Sequence, residues 1–413
     1  KRLEHYQQKY RYVLVDEYQD TNRPQFELIY NLSKEHRDVC VVGDDDQSIY
    51  SWRGADVNNI LNFSDIFGEA KIIKLEQNYR STKTILECAW AVVSRNTSRA
   101  EKKLWTENEQ GDKLTLLECR DERDESWKIL KTIRNEAIHG DFEFDDLVIL
   151  YRTNAQSRAV EDVLRREAVP YNIVGGIKFY ARKEVKDILA YLQLINNPRD
   201  DVALMRIINT PPRGLGKVTM SKIANSARSH RLSMLETAEE ICPSLSKRAS
   251  SGLQKFLDMM EHFACLATAP VEEVLGHVLS ESGYEDFAKE KDERADEDRC
   301  ANIRELLSAA RQFDILHQGT DYLEAFLEQA ALVSDTDAWE NELDKVTLMT
   351  LHGSKGLEFP VVYMVALEQG KLPHERSCQD PDQLEEERRL MFVGITRAQD
   401  ALTISYAKYR DYR

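Results

Sequence analysis

Six short apolar runs, rich in β-branched residues, constrain the fold of this chain more than any other sequence feature. Near both ends of the chain they are separated by amphipathic stretches of helical period, and this alternation is typical of α/β folds with mostly parallel sheets. The runs are Tyr12–Val15, Val39–Val42, Leu114–Leu117, Leu147–Tyr151, Val361–Val365 and Leu402–Ser405. We therefore predict parallel-sheet domains at both ends of the chain.

The middle of the chain follows a different pattern. From about residue 175 to about residue 342, long stretches such as EVKDILAYLQLI repeat their apolar residues with the 3.6-residue period of a helix. We predict an all-helical insertion in this region.

Charge and cysteine content narrow the function classes. The formal net charge of −16 argues against broad binding to nucleic acid through a globally basic surface, although a local groove is compatible with it. The seven cysteines never form a CxxC pair, which predicts neither a zinc site nor a disulfide framework. Without a membrane-spanning apolar stretch or a signal-peptide-like start, the sequence predicts a cytoplasmic protein with no membrane partner.

Two of the apolar runs end in side chains suited to phosphate chemistry. The first, in VLVDEYQD, ends at Asp16 and Glu17, and the second leads into GDDDQSIYSWRGA with Asp44 and Gln47. Ligands of open parallel sheets bind at the carboxyl ends of strands, so these groups are expected to lie side by side. One acid could hold Mg²⁺ while its neighbour orients or deprotonates water, and an amide could sense a terminal phosphate.

Other candidate residues are weak evidence when taken singly. Trp52 could support an unpaired base and the neighbouring Arg53 suits phosphate, but a lone tryptophan is by default a core residue. A Tyr-Arg pair in LEQNYRS (75–81) could stack on a base and stabilise phosphate charge. By itself, Arg397 in EEERRLMFVGITRA is more simply explained as a structural ion-pair partner.

The order in which the motifs occur indicates which protein family the chain resembles. VDEYQDT, GDDDQSIYSWRGA, LEQNYRS, TLHGSKGLEF and EEERRLMFVGITRA closely resemble the later motifs of the UvrD/Rep/PcrA helicases, superfamily 1 DNA motors that move 3′ to 5′. The resemblance covers nearly the whole chain, because 175–201 and RIINTPPRGLG (206–216) resemble the start of that family's helical insertion. It implies RecA-like parallel-sheet motor domains, of which the first is partial and spans 1–74. The second would consist of segments 75–174 and 343–413, with the helical insertion at 175–342 between them.

The resemblance also implies ATP and Mg²⁺ as ligands, and it assigns the chemistry to matching residues. Asp16 would bind Mg²⁺, Glu17 would be the catalytic base, and Gln47 would contact the γ-phosphate. Two arginines of the second motor domain would reach the γ-phosphate, namely Arg80 and Arg397. ATP would then lie in a cleft between the two motor domains. Binding of ATP would close this cleft, and hydrolysis would let it open again.

The remaining roles implied by the resemblance concern the nucleoside and DNA. Tyr79 would stack on adenine, and Glu358 would bind the ribose beside the glycine-containing turn at Gly356. Single-stranded DNA would be contacted by Tyr50, Trp52, Arg53 and His352. The implied partners are single-stranded and duplex DNA, with repair or replication proteins binding the helical insertion, and the implied location is cytoplasmic and nucleoid-associated.

One expected element is missing from the sequence. A phosphate-cradling loop requires G-x-x-x-x-G-K-[ST], whose backbone amides and lysine hold the phosphates. The nearest segment, Gly214–Lys217, fails because Pro211 stands at the first glycine and Val218 at the serine or threonine. We expect a truncated chain that is inactive alone, with a poorly packed first domain whose strand edges lack partners.

Three functions are compatible with these observations. The favoured one is the carboxy-terminal part of an ATP-driven DNA helicase serving repair or replication. A non-hydrolysing DNA-binding or interaction module is the second. Against it stands the retention of the charged site residues Asp16, Glu17, Arg80 and Arg397. The third is the motor portion of a helicase–nuclease, although no nuclease-like acidic cluster follows Arg397.

Overall fold

The structure is a computed structural model, and its described residues form two compact units. The first unit comprises residues 1–152, 159–175 and 344–410, and the second comprises 153–158 and 176–343. Within these ranges the structure describes 2–68, 70–139, 142–174, 179–230, 232–295, 299–317, 319–335 and 344–410. The predicted segment boundaries near 175 and 342–343 therefore lie outside the described residues.

All strands of the described residues belong to the first unit. They are β1 Val13–Val15, β2 Val39–Val41, β3 Thr115–Cys119, β4 Leu147–Tyr151, β5 Tyr171–Val174, β6 Val346–Thr350, β7 Phe359–Met364 and β8 Ala398–Ala407. Strands β3 to β8 form one parallel sheet in the order β3-β8-β7-β4-β6-β5. The prediction of an α/β fold with a parallel sheet is thus confirmed.

Both units contain helices. In the first unit they are α1 Arg2–Lys9, α2 Arg23–Ser33, α3 Asn58–Leu61, α4 Phe63–Phe67, α5 Lys83–Val93, α6 Glu122–His139, most of α7 Ser157–Arg166, and, near the end of the chain, α17 Pro381–Ile395. In the second they are α8 Lys183–Asn196, α9 Asp201–Ile207, α10 Lys217–His230, α11 Met234–Ile241, α12 Lys247–Ala264, α13 Val271–Ser282, α14 Tyr284–Ala295, α15 Arg299–Leu316 and α16 Tyr322–Asp335. The predicted helical insertion is therefore present, and its described residues contain no strand.

Strand β4 lies at the centre of the six-stranded sheet, and all five of its side chains are fully buried. Val148 and Leu150 face a core formed with α5 and α17, while Ile149 and Tyr151 face a second core formed with α6 and α7. Successive residues of a strand point to opposite faces, so an uninterrupted apolar run is required where helices cover both faces. Each such side chain contributes about 1.5–3 kcal/mol when fully buried.

Strands β1 and β2 form a separate, two-stranded parallel sheet. One face packs on a small core around Tyr18, Phe26 and Ile29, which α2 helps to form. The other face is open among the described residues, where Leu14 is 73% exposed and Cys40 is also exposed. This small sheet matters for function because both of its strands end at acidic loops.

Helix α8 organises the core of the second unit. Most of its side chains are buried, and Tyr191 is completely enclosed. Phe256, Phe263 and Phe326 belong to the same core and come from helices distant in sequence. A helix that is buried over most of its circumference requires neighbours on several sides, which the surrounding helices provide.

Candidate active site

The loop after β1 carries the first two candidate residues. Asp16 and Glu17 are both exposed, and the Glu17 amide donates a hydrogen bond to Asp16 Oδ1 over 2.8 Å. Glu17 has a φ of 51°, in the left-handed region that residues other than glycine rarely adopt. Gln19 Nε2 donates to Glu17 Oε2 at 2.6 Å, which fixes the carboxylate. Such strain is typical of functional sites.

The loop after β2 lies directly beside it. Gln19, fully buried, accepts a hydrogen bond from the Asp44 amide at 3.0 Å, and Gln47 Nε2 donates to Asp44 Oδ2 at 2.8 Å. Only glycine fits at position 43, since a Cβ there would lie 2.3 Å from Gln19 Oε1. The two loops are therefore adjacent, as expected for the carboxyl ends of neighbouring parallel strands.

Lys355 joins these loops to the segment after β6. Its ammonium nitrogen lies 3.1 Å from Glu17 Oε2 and 2.9 Å from the Gln47 carbonyl oxygen, and it also contacts the Asp20 carboxylate. Burial raises the pKa of Asp20, and the Lys355 charge opposes that shift. Lys355 and Asp20 were not among the candidate residues, although both lie within the quoted motifs.

Arg80 also belongs to the first unit, where two contacts hold its side chain. Its Nε lies 2.6 Å from Glu358 Oε2, and its Nη1 donates to the Thr396 carbonyl at 3.2 Å. The backbone amide of Arg80 donates to Asn78 Oδ1, which orients the turn. The hydrogen bond from Arg80 lowers the pKa of Glu358, so this carboxylate is ionised and paired.

Arg397 is enclosed at the end of α17, with 2% of its surface exposed. It donates to the carbonyl oxygens of Val393 at 2.9 Å and Leu357 at 3.0 Å. Burial, followed by the positive charge of Arg80, lowers the pKa of Arg397 to about 10, so the side chain remains a cation at neutral pH. No ion pair joins Arg397 to a carboxylate among the described residues, and the ion-pair explanation is not supported.

The side chain of Tyr79 projects into solvent with 78% of its surface exposed. Its hydroxyl donates to Gln77 Oε1 at 2.9 Å, while Asn108 Nδ2 donates to the Tyr79 carbonyl at 3.3 Å. The ring is thus presented by a fixed backbone and can stack on a planar ligand. Gly356 is also exposed, and its φ of 84° explains why a glycine occupies this turn.

The four candidate DNA-contacting residues form one cluster. The Arg53 guanidinium carbon lies 4.4 Å from the centre of the Trp52 ring and 5.5 Å from that of Tyr50. The Tyr50 hydroxyl donates to the His352 carbonyl oxygen at 3.3 Å. Burial, with the charges of Arg152 and Arg53, lowers the pKa of His352 to about 3, so its ring is neutral. Trp52 is 51% exposed and is not a core residue.

A cluster of ion pairs next to the Gln47 loop was not predicted from the sequence. Asp46 accepts two hydrogen bonds from Arg99, at 3.1 and 2.8 Å, and Lys102 contacts the carboxylates of Asp44 and Asp45. Although burial opposes it, these carboxylates raise the pKa of Lys102. The cluster anchors the Gln47 loop to the segment between α5 and β3. Its members lie more than fifty residues apart, so local sequence patterns could not reveal it.

The donor set was compared with the Mg²⁺ that the motifs imply. Mg²⁺ at phosphate sites is usually held by one or two carboxylates, with water and phosphate oxygens completing the shell. Asp16 fits that role because it is exposed beside Glu17. Within the described ranges, no group of three or more His, Cys, Asp or Glu side chains is arranged to hold a metal ion. The residues therefore suit a metal bound together with a nucleotide.

No helix in the part of the chain that the structure describes combines the length and the apolar character needed to cross a bilayer.

Comparison with protein families gives two adjoining matches. The model of the UvrD-like helicase C-terminal domain matches residues 73–409, and that of the UvrD/REP helicase N-terminal domain matches residues 1–68. The two matches meet close to the predicted end of the first segment at residue 74. Together they include every candidate residue of the site.

Individual proteins are similar over almost the whole chain. A protein of Bacillus subtilis named ATP-dependent DNA helicase PcrA is 43% identical over 99% of this chain and 56% of its own length. Proteins of the same name from Leuconostoc citreum and Staphylococcus aureus are 43% and 41% identical, over 98% and 99% of this chain. The chain spans about half the length of these relatives, 55–56% in each case.

Proposed function

The chain belongs to the UvrD-like helicase family, and from this premise we propose that it acts as part of an ATP-dependent DNA helicase that moves 3′ to 5′ and unwinds duplex DNA. The observation that carries the proposal is the environment of Arg397, a buried cation without a carboxylate partner among the described residues. A buried charge is costly unless it is paired, so this arrangement favours an anionic ligand. A terminal phosphate is the anion that fits the neighbouring groups.

The proposed reaction is hydrolysis of the γ-phosphate of ATP. Glu17 accepts a proton from the attacking water, and Gln47 holds that water or the γ-phosphate. Arg80 and Arg397 stabilise the charge that develops on the transferring phosphate. Bound Mg²⁺, held by Asp16, would neutralise phosphate charge.

The nucleoside and the DNA are assigned to separate surfaces of the first unit. We propose that adenine stacks on the exposed Tyr79 ring and that Glu358 binds the ribose near Gly356, exchanging its contact with Arg80. Single-stranded DNA binds at the cluster of Tyr50, Trp52, Arg53 and His352. The support for this cluster is an exposed indole backed by a cation, an arrangement suited to stacking on unpaired bases.

ATP is proposed to lie between two RecA-like domains, with the carboxylates on one wall and the arginines on the other. Closure of the cleft on ATP binding and its opening after hydrolysis would change the contacts that the protein makes with DNA. The helical unit would contact duplex DNA and repair or replication proteins, and the protein would act in the cytoplasm at the nucleoid.

A second candidate applies to the 413 residues taken alone. The sequence contains no G-x-x-x-x-G-K-[ST] loop, which favours a DNA-binding module without hydrolysis. We propose that these residues need that loop to be supplied, and that the catalytic carboxylates and arginines act only when it is present.

Unwinding polarity tests the proposed function. The full natural protein is expected to separate a partial duplex carrying a 3′ single-stranded tail, with ATP and Mg²⁺, and to separate the 5′-tailed duplex much more slowly. Strand release is followed by the fluorescence of a labelled strand. Equal rates on both tails would contradict the polarity, and no ATP-dependent release from either would contradict helicase function.

Replacing Trp52 by alanine is expected to weaken binding of single-stranded DNA by about 1–3 kcal/mol, the contribution of one base–aromatic stack. Fluorescence anisotropy of a labelled oligonucleotide at fixed salt measures the affinity. Trp90→Ala is the matched control, since Trp90 is 40% exposed and Lys103 lies 4.9 Å from its ring centre. Unchanged affinity in Trp52→Ala with reduced thermal stability would make Trp52 a structural residue.

A further inference from the structure

Three consecutive carboxylates directly precede Gln47 in the loop after β2. They are Asp44, Asp45 and Asp46. Carboxylates this close repel one another, and their charge would also oppose an anionic phosphate at Gln47. Two cations from the segment between α5 and β3, Arg99 and Lys102, lie against them with side chains 14% and 16% exposed. That segment therefore offsets most of the negative charge beside the proposed phosphate site.

Lys102 is connected to the Gln47 side chain through a single carboxylate. Its ammonium nitrogen lies 2.8 Å from Asp44 Oδ1, and Asp44 Oδ2 accepts a hydrogen bond from Gln47 Nε2 at 2.8 Å. An ionised carboxylate can only accept, so it must face the nitrogen of the amide and not its oxygen. Among the described residues no donor contacts Gln47 Oε1, and this oxygen can accept a hydrogen bond from a water molecule.

The second cation cannot replace Lys102 in this arrangement. Arg99 donates to both oxygens of Asp46, at 3.1 and 2.8 Å, and supports the loop one position away from Gln47. Within the described ranges, Lys102 is the only side-chain cation in contact with Asp44, and it also contacts Asp45 and Asp46. The orientation of the Asp44 carboxylate, and with it that of the Gln47 amide, therefore depends on Lys102.

We propose that Lys102 is a positioning residue, which acts through Asp44 to hold the Gln47 amide with its Oε1 available to the attacking water. This inference rests on the proposed function, in which Gln47 holds either that water or the γ-phosphate, and it assigns the water to Gln47 Oε1. Lys102 itself acts on no reacting atom. Without its ammonium group, Asp44 can rotate and the acceptor for the water is no longer fixed.

The test is steady-state ATP turnover of the full natural protein with Mg²⁺ and saturating single-stranded DNA. Lys102→Met is expected to lower kcat about tenfold, within the loss of about 10² that a misplacement of about 1 Å can cause. The KM for ATP should stay close to the wild-type value, because the amide acts in the chemical step. Lys102→Arg keeps a cation and should recover most of kcat. Lys103→Met is the matched control, since this neighbouring lysine is exposed and lies over the Trp90 ring instead.

Two double variants distinguish positioning from a structural role. In a Gln47→Ala background, Lys102→Met should lower kcat no further, because its effect passes through Gln47, whereas a structural loss would lower kcat in both backgrounds. Lys102→Met also leaves the buried carboxylates with one cation fewer, which can destabilise the loop. Asp45→Asn/Lys102→Met removes one of these charges, and its kcat should stay as low as that of Lys102→Met while its thermal stability recovers.

The outcomes separate the inference from the proposed function. If wild-type protein shows no turnover stimulated by single-stranded DNA, the proposed function fails. If wild type is stimulated and folded Lys102→Met or Asp45→Asn/Lys102→Met turns over ATP like wild type, the role of Lys102 is overturned while the proposed function stands. A further loss of kcat on adding Lys102→Met to Gln47→Ala, or a wild-type kcat in Gln47→Ala, would overturn that role as well.

Discussion

Replacing Arg80 or Arg397 by alanine in the full natural protein is expected to lower ATP turnover about 10³–10⁵-fold, the range found for arginines that stabilise phosphoryl-transfer charge. Binding of ATP and DNA should change far less, because the charge that these cations offset develops mainly in the transition state. The structural basis is the enclosed position of Arg397 and the electrostatic influence of Arg80 on it. Steady-state turnover with saturating single-stranded DNA measures the effect.

Folding must be controlled in these variants. Arg397 donates to two backbone carbonyls, so thermal unfolding of Arg397→Ala should be compared with that of wild type. The Arg80 side chain is 26% exposed, so its replacement is expected to disturb folding less than that of Arg397. Arg95→Ala, at an exposed position after α5, is the matched control. Turnover within a few-fold of wild type in a folded Arg80→Ala protein would remove this residue from the site.

The second large effect concerns the 413-residue chain itself, which is expected to release no phosphate from ATP with or without DNA. It carries the proposed metal-binding acid, the proposed general base and both arginines, but its sequence lacks the glycine-rich loop with its lysine and hydroxyl. Without backbone amides around the β- and γ-phosphates, ATP is not held against Glu17. The open face of the β1–β2 sheet is a second reason to expect an incomplete nucleotide site.

Much of the fold could be predicted from hydrophobic patterning. Each of the six apolar runs overlaps a strand, because continuous or alternating apolar residues are required where a sheet is covered by helices. Strands β5 and β6 were not among those runs. In β5 the side chains of YNIV alternate between half-buried and exposed at the edge of the sheet, which weakens the apolar signal. Strand β6, VTLMT, ends at the first residue of the motif TLHGSKGLEF and was not predicted as a strand.

The site was predictable to a lesser extent. Adjacent parallel strands explain why Glu17 and Asp44 are neighbours, and the exposure of Trp52 and Tyr79 agrees with binding surfaces. The contact of Lys355 with Glu17 depends on how the segments before and after the long helical region pack together, which no local pattern encodes. The roles assigned to the site residues stay predictions until they are tested.

Phosphate release from ATP and Mg²⁺, measured with and without single-stranded DNA for the 413-residue chain and for the full natural protein, tests the central claim most directly. We expect DNA-stimulated release from the full natural protein, its loss in the same protein carrying Glu17→Gln, and none from the 413-residue chain. Stimulated release by the 413-residue chain alone would contradict this account, since it would require a phosphate-binding loop of another kind within these residues. A full natural protein without DNA-stimulated release would contradict the proposal of an ATP-driven DNA motor.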